Sequence, residues 1–244
     1  MTDQPEPTAA MPLFHNRIVI LDSALHGDLR LAQTQGYGFA AKTNSIPLSL
    51  AEFDVAAQHY PIVFTAGAAP QPVVLVGYRA AENLFVEPDG AWRKGAYIPA
   101  YVRTYPFVLV ESGDAADRLL LGIDIDAACL TTGAGAALFE RGKPSAGLED
   151  ALKFCKGYRD DLAATRAFAA ALATAGLLEE RSATVALDGG GLSRLDGFLQ
   201  VAPDRLKALD DQVWLDWRRR GWIDAIYAHL HSAGRWVQLI EAGG

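Results

Sequence analysis

The sequence has few of the residues on which most thiol and metal chemistry depends. It holds only two cysteines, Cys129 and Cys155, and five histidines among 244 residues. Two cysteines do not form a disulfide framework. Cys155 lies on the apolar face of a predicted helix, which is typical of a small buried apolar residue, whereas Cys129 lies in a mixed segment. A nucleophilic role for either thiol needs a partner that the sequence does not identify.

The common catalytic and cofactor motifs are also missing. There is no G-x-S-x-G elbow and no H-E-x-x-H pair, and the glycine run Gly189–Gly191 lacks the residues that complete a phosphate loop or a dinucleotide fingerprint. His229 and His231 are two residues apart, so on a helix they point in nearly opposite directions and cannot share a metal. We therefore predict no cofactor and no metal, and we favour a non-enzymatic role without excluding an enzyme.

Positive charge and long apolar runs are scarce as well. Lysine and arginine number 22 against 29 acidic residues, a net charge of −7, which argues against nucleic acid as a partner. No stretch is long and apolar enough to predict membrane insertion. Met1–Pro12 lacks the basic and apolar regions of a signal peptide, so we interpret it as a flexible leader and expect a cytoplasmic location.

Hydrophobic patterns predict an α+β protein, with a mainly antiparallel sheet in the N-terminal half packed by a long helix and a helical C-terminal part. We expect one domain over residues 13–244, β-rich over 13–145 and helix-rich over 146–244. The N-terminal half also predicts a helix that has Ser45 as its N-cap and Pro47 in its first turn and that runs through Tyr60. The predicted strands are Arg17–Leu21, Gly36–Ala40, Ile62–Phe64, Val73–Tyr78, Phe107–Glu111, Leu119–Ile123, Thr184–Leu187 and Leu195–Val201. The other predicted helices are Gly147–Ala175, Asp204–Leu209, Asp211–Arg219 and Trp222–His231.

The densest aromatic segment runs from Asn83 to Phe107, with a hairpin signal at Pro88-Asp89-Gly90. If its end is extended, Tyr101, Arg103 and Tyr105 share one face. Arginine beside tyrosines combines hydrogen-bond donors with flat apolar surface, which suits an anion or a sugar. The same arrangement also locks corners of sheets. The residues that we select as candidates for ligand binding are Trp92, Tyr101, Arg103 and Tyr105.

Two residues are candidates for catalysis. His26 has Asp28 and Arg30 nearby, which fits either a tuned general base or a hydrogen-bonding surface histidine. Asp124 ends a buried strand two residues before Asp126, which fits either a carboxylate pair or a role in a turn. An enzyme requires at least two of four side chains to converge in one pocket: His26, Glu52, Arg103 and Asp124.

The chain contains the motifs HGDLRL (26–31), PLSLAEF (47–53), YPIVF (60–64), ENLFVEPDGAW (82–92), YIPAYVRTYPF (97–107), ID (123–124), ALFERGKPS (137–145) and DGFLQV (196–201). In this order and spacing, the motifs resemble the SapC-like family of bacterial proteins. The resemblance covers about Pro12 to Leu239. The family usually has arginine at position 104, an acid at 125 and Asp-Glu at 202–203, where this chain has Thr104, Ile125 and Ala202-Pro203. These differences weaken the case for a strict anion site and for a carboxylate pair.

The resemblance implies a general cellular role and no particular reaction, because the activity of the family is not established. Family genes often lie near TonB-dependent receptors and halogenase-like proteins, which implies an accessory role in nutrient uptake or envelope metabolism. Proteins of this family are often labelled peptide-transport permeases because of a shared name. That label conflicts with the lack of a predicted membrane span in this sequence. We expect a binding protein for a small molecule, glycan or peptide. The alternatives are an enzyme with a cleft beside residues 83–107, and a structural partner or homodimer that uses Trp214, Trp217 and Trp222.

Overall fold

The computed structural model describes residues 11–32, 36–111, 119–186 and 192–243. The Gly189–Gly191 turn and most of the leader lie outside these residues. The strands are β1 (Ile18–Ile20), β2 (Arg30–Leu31), β3 (Ser45–Pro47), β4 (Ile62–Thr65), β5 (Pro72–Leu75), β6 (Phe107–Glu111), β7 (Leu119–Asp124), β8 (Leu130–Thr131), β9 (Ala136–Ala137), β10 (Phe139–Glu140), β11 (Lys143–Pro144), β12 (Leu178–Ala186) and β13 (Leu192–Val201). The helices are α1 (Ser23–His26), α2 (Phe53–Ala56), α3 (Ala100–Thr104), α4 (Ala146–Thr174), α5 (Pro203–Lys207), α6 (Asp211–Arg219), α7 (Trp222–Ser232) and α8 (Arg235–Glu241), with 3₁₀ helices at Gly38–Ala40 and Leu50–Glu52.

The α+β class is confirmed. All strand pairs that the structure describes are antiparallel, and the long helix and the C-terminal helices lie within one or two residues of their predicted bounds. Among the described residues, no helix combines the length and the apolar character that crossing a membrane requires.

The chain divides into two compact units, each built from two separate stretches of sequence. Unit 1 comprises Met1–Gln35 and Thr104–Cys155, and unit 2 comprises Gly36–Arg103 and Lys156–Gly244. The boundary therefore falls inside α4, which gives its first ten residues to unit 1 and the rest to unit 2. The single domain over residues 13–244 stays a prediction.

Unit 1 is organised around a three-stranded sheet with the order β1-β7-β6. Its inner face forms an apolar core with the start of α4, and the buried members are Phe107, Ile123, Leu138, Leu148 and Cys155. Cys155 is 4% exposed, which confirms that it is a core residue. A smaller sheet, β8-β2-β9, joins the two ends of the loop that follows β7.

Unit 2 contains a five-stranded sheet with the order β12-β13-β4-β5-β3. Strands from the N-terminal half and a hairpin from the C-terminal part therefore form one sheet, in which β4 pairs with β13. Phe168 of α4 is fully buried and joins the layers through edge-on aromatic contacts, with ring centroids 5.8 Å from Phe53 and 5.7 Å from Trp222. Trp217 lies 5.7 Å from Trp222, so two of the C-terminal tryptophans belong to this core.

Two local predictions were wrong, both in the segment before β4. The helix expected from the Ser45 N-cap through Tyr60 is present only as the 3₁₀ helix Leu50–Glu52 and the short α2, and strand β3 occupies the residues expected to form its cap and first turn. Pairing with β5 buries Ile46 completely, which a helix start at this point would not achieve. The strand expected at Gly36–Ala40 is the 3₁₀ helix Gly38–Ala40.

Candidate functional site

The best-connected polar side chain of unit 2 is the buried carboxylate of Glu52. Oε2 accepts hydrogen bonds from the Ser49 backbone N–H at 3.0 Å and the Ser49 hydroxyl at 2.7 Å. Oε1 accepts hydrogen bonds from the Tyr97 hydroxyl at 2.9 Å and the Ala100 backbone N–H at 2.6 Å. Ala100 is the first residue of α3, so Glu52 caps that helix. With four donors bound, the carboxylate is a structural anchor.

Tyr97 carries this network to the surface. Its hydroxyl accepts a hydrogen bond from Nη2 of Arg103 at 3.1 Å, while Nε of Arg103 donates to the Ile98 carbonyl at 3.1 Å. Burial, together with the charge and the hydrogen bond of Glu52, raises the pKa of Tyr97 to about 12, against an opposing effect of Arg103. The phenol is therefore protonated at neutral pH and serves as a hydrogen-bond donor.

The face predicted for Tyr101, Arg103 and Tyr105 was wrong, because residues 100–104 form α3 and not an extended chain. Glu52 caps this helix, a stabilising contact from a distant segment that local alternation cannot reveal. Tyr101 and Arg103 belong to unit 2 and Tyr105 to unit 1. Tyr101 and Arg103 therefore lie on helix α3, whereas Tyr105 follows the helix and has a separate set of partners.

A cleft of about 340 Å³ is lined in part by the sequence neighbours of Glu52. Its walls come from the Leu50–Asp54 turn, from α4 and from the corner between α6 and α7. The apolar lining residues are Leu50, Ala51, Phe53, Ala164 and Ala225, and the charged ones are Asp54, Asp161, Asp224 and Arg220. We call this the aspartate cleft. Its volume lies in the range typical of small-molecule sites.

Thr165 holds two walls of the aspartate cleft together. It is fully buried, and its hydroxyl accepts the backbone N–H of Leu50 at 2.8 Å and donates to the Asp161 carbonyl at 2.6 Å. One hydroxyl thus ties the start of the 3₁₀ helix to α4, about one helical turn from Asp161.

Negative charge exceeds positive charge in the aspartate cleft, which is lined by three aspartates and one arginine. Among the described residues, none of its three aspartates belongs to an ion pair. Arg220 also lines the cleft, but its Nε lies 2.8 Å from Asp216 and its guanidinium lies over the Trp222 ring at 4.9 Å. Partial burial, with the charges of Glu52 and Asp160, raises the pKa of Asp161. A ligand cation would relieve this repulsion.

The structure brings Asp124 and Tyr105 together in unit 1. Asp124 is fully buried, and its carboxylate accepts the Tyr105 hydroxyl at 3.2 Å and the backbone N–H groups of Asn16 and Arg17 at 3.0 Å each. Burial by itself would raise the pKa of Asp124, but the hydrogen bonds outweigh it and hold that pKa below its usual value. Asp126 is instead paired with Arg17 at 2.6 Å, so the two carboxylates do not act as a pair.

The remaining candidates do not line the aspartate cleft. His26 ends α1, and its Nδ1 accepts the backbone N–H of Asp22 at 3.0 Å. Trp92 is 7% exposed and donates through Nε1 to the Tyr60 hydroxyl at 3.2 Å. Burial raises the pKa of the Cys129 thiol, which does not favour a thiolate nucleophile.

The functional importance of these six candidates stays a prediction. Neither of the two clefts described in the structure is lined by them. The aspartates of the cleft escaped the sequence reasoning because they come from three distant segments, and no local spacing links Asp54, Asp161 and Asp224. Within the described residues, no group of histidine, cysteine and acidic side chains has the geometry to hold a metal ion.

The fold and the site define an α+β protein with a carboxylate-lined cleft beside a fully bonded, buried glutamate. The chain belongs to the SapC family, whose model matches residues 21–239. The match includes both segments joined at Glu52 and all three aspartates of the cleft. No curated protein and no solved structure matches the chain.

Proposed function

We propose that this SapC-family protein is an accessory protein that binds a small organic cation, such as a primary amine or the amino group of a peptide, in the aspartate cleft. One observation carries the proposal: three aspartates that form no ion pair within the described part of the chain line a cleft of about 340 Å³ together with apolar side chains. Carboxylates bind ammonium groups through charge-assisted hydrogen bonds, and the apolar lining suits the attached carbon chain.

The remaining side chains around the cleft support binding more than catalysis. Glu52, a buried carboxylate of the same segment, has hydrogen-bond donors on both oxygens and is not placed to exchange a proton with a ligand. A glycan finds less support, because the ring of Trp92 is buried and cannot stack on a sugar. A role in nutrient uptake or envelope metabolism follows from the family resemblance and is part of the proposal, as are the bacterial origin and the cytoplasmic location.

Titration monitored by amide NMR spectra tests the proposal. We expect n-butylamine and lysine amide to shift the Ala164 and Gly221 resonances, whereas butyrate and glucose leave them unchanged. Raising the salt concentration weakens the effect, because the cleft is open to solvent. Equal responses to butylamine and butyrate, or shifts that avoid the cleft, would overturn the proposal.

Matched variants identify which aspartate charge contributes to amine binding. Asp161→Asn and Asp224→Asn should each weaken amine binding by about threefold or more, since an exposed charge pair contributes up to about 1 kcal/mol. Asp160→Asn makes the same change in net charge one residue away, at an exposed position outside the cleft. If Asp160→Asn weakens binding as much as Asp161→Asn, the effect reports net charge and not the site.

A further inference from the structure

The hairpin of β12 and β13 loses its third strand partway along its length. Strand β4 pairs with β13 only at Phe198 and Leu199, whereas β12 and β13 stay paired out to Ala186 and Leu192. A bulge falls at the same point, where the register shifts and Gly197 adopts a φ of 75°. Among the described strands, the outer part of the hairpin is therefore a ribbon of only two strands.

Both faces of this ribbon are open to solvent. Arg181 and Ser182 are both exposed, and successive side chains of a strand point to opposite faces. Thr184 and Arg194, which oppose each other farther out, are exposed as well. A two-stranded hairpin on its own is marginally stable in water, and a third strand is the usual remedy.

The outer edge of β12 is available for that third strand. β12 is the edge strand of its sheet, and within the described part of the chain its only ladder partner is β13. Arg205 covers the start of the edge, where Nη1 donates to the Leu178 carbonyl at 3.2 Å. The stretch from Glu179 to Ala186 contains no proline, so it can accept a full ladder. An open edge strand of this length is a template for pairing with another chain.

We propose that a second copy of this chain pairs with the first through β12, antiparallel and about a two-fold axis at Ser182. A two-fold axis lets the same edge serve both copies, as in most homodimers. Ser182 is the middle residue of β12, so this register uses the whole strand. Each copy then supplies the third strand that the hairpin of the other copy lacks.

The charges along β12 select this register. Pairing about Ser182 sets Glu180 opposite the partner's Thr184, and it sets Arg181 opposite the partner's Ala183. An axis at Arg181 or at Glu180 would instead place two like charges directly opposite each other, which destabilises a strand pair. Both axes that oppose like charges are therefore disfavoured, whereas the axis at Ser182 opposes none.

A groove beside the edge receives the partner strand. It has a volume of about 330 Å³, and its lining includes the four consecutive residues Arg181–Thr184 and the side chains of Phe198, Trp236 and Ile240. Phe198 opposes Arg181 in the hairpin, so both lie on the face where the Trp236 ring packs 5.7 Å from the Phe198 ring. The partner's Ala183, opposite Arg181, lies on that same face and brings a small apolar side chain to the groove.

Mass measurements and two variants at one position test the dimer. We expect a micromolar dimer, because one strand pair and one groove form a small interface, so the mass from light scattering should rise with concentration from 26.2 kDa toward twice that value. Ala183→Arg opposes the partner's Arg181 at two symmetric contacts and should weaken the dimer about tenfold or more. Ala183→Glu should strengthen it about two- to fivefold. Damage to the hairpin would weaken both variants alike, so opposite effects report the pairing.

Cysteine substitution fixes the position of the axis. Ser182→Cys places two thiols directly opposite each other, whereas Thr184→Cys separates them by four residues along the ladder, about 13 Å. Mild oxidation should therefore cross-link the first variant and not the second, and the native Cys129 and Cys155 are buried. A monomer at every concentration, a dimer that Ala183→Arg leaves intact, or cross-linking by Thr184→Cys alone would overturn the proposal.

Discussion

The carboxylate of Glu52 accepts the backbone N–H of Ala100 at 2.6 Å, so one side chain closes the first turn of a helix that begins 48 residues later. Glu52 belongs to the PLSLAEF motif and Ala100 to the YIPAYVRTYPF motif. The two motifs that carry much of the family resemblance are therefore joined by direct hydrogen bonds. Their residues are explained first by this junction, and four neighbours of Glu52 line the aspartate cleft: Leu50, Ala51, Phe53 and Asp54.

Replacing Glu52 should destabilise the protein strongly, because its side chain accepts hydrogen bonds from several buried donors. Glu52→Ala leaves the donors of Ser49, Tyr97 and Ala100 without an acceptor, which should cost about 3 kcal/mol or more of unfolding free energy. Glu52→Gln keeps the shape but places an amide N–H₂ where one oxygen accepted, so an intermediate loss is expected. Urea unfolding followed by circular dichroism measures both, and the exposed Glu180→Ala serves as a control that should change stability by less than about 0.5 kcal/mol. A loss of that small size in Glu52→Ala would refute the anchoring role.

His229 should make the stability of unit 2 depend on pH. Its Nδ1–H donates to the Ile62 carbonyl at 2.9 Å, and its Nε2 accepts the Val201 N–H at 3.1 Å, so the ring is neutral. Burial lowers the pKa of His229 to about 4, from about 6.5 in the unfolded chain. Between these values the unfolded state binds the proton and the folded state does not. Stability is therefore full above pH 6.5 and decreases as the pH falls toward 4, by about 3 kcal/mol from this residue.

Urea midpoints measured from pH 7.5 to pH 4 check this dependence. His229→Gln should flatten the curve between pH 6.5 and 4, since glutamine can bridge the same two backbone groups without titrating. His231→Gln, at an exposed position of the same helix, should leave the curve unchanged. An unaltered slope in His229→Gln would show that other groups dominate, among them His59, whose pKa burial and Arg235 also lower.

The sequence predicted the elements whose signals are local and missed what depends on distant contacts. Helix α4 was predicted because its apolar residues keep a spacing of three and four over 29 residues. Tyr158 fitted that apolar stripe, and only the neighbouring segments reveal that its hydroxyl has no hydrogen-bond partner within the described part of the chain. Helix α3 was missed because its cap comes from Glu52 and not from the preceding residues. The aspartate cleft was missed because tertiary packing alone assembles it.

Two glycines should respond in opposite ways to substitution by alanine. At Gly77 an added methyl carbon would lie 2.0 Å from the backbone oxygen of Glu82, so the backbone itself must move. At Gly157, inside α4, nothing lies within 4 Å of that position. Gly77→Ala should cost about 3 kcal/mol or prevent folding, whereas Gly157→Ala should add about 1 kcal/mol through helix propensity. Thermal unfolding of both variants measures these changes in stability. If Gly77→Ala leaves the stability unchanged, that result would contradict the close approach of the two backbone segments.

Thr165 should control the shape of the aspartate cleft without touching the ligand. Thr165→Val keeps the volume but removes the acceptor of the Leu50 N–H, so the Leu50 wall should loosen and stability should fall by about 1–2 kcal/mol. Hydrogen exchange of the Leu50 amide should accelerate, and butylamine should bind about threefold more weakly. Thr165→Ser loses a methyl group but keeps the hydroxyl, so its Leu50 amide should exchange slowly and its amine affinity should match the wild type. If serine behaves like valine, packing of the methyl group holds the wall; if valine leaves Leu50 exchange unchanged, the hydroxyl does not hold it.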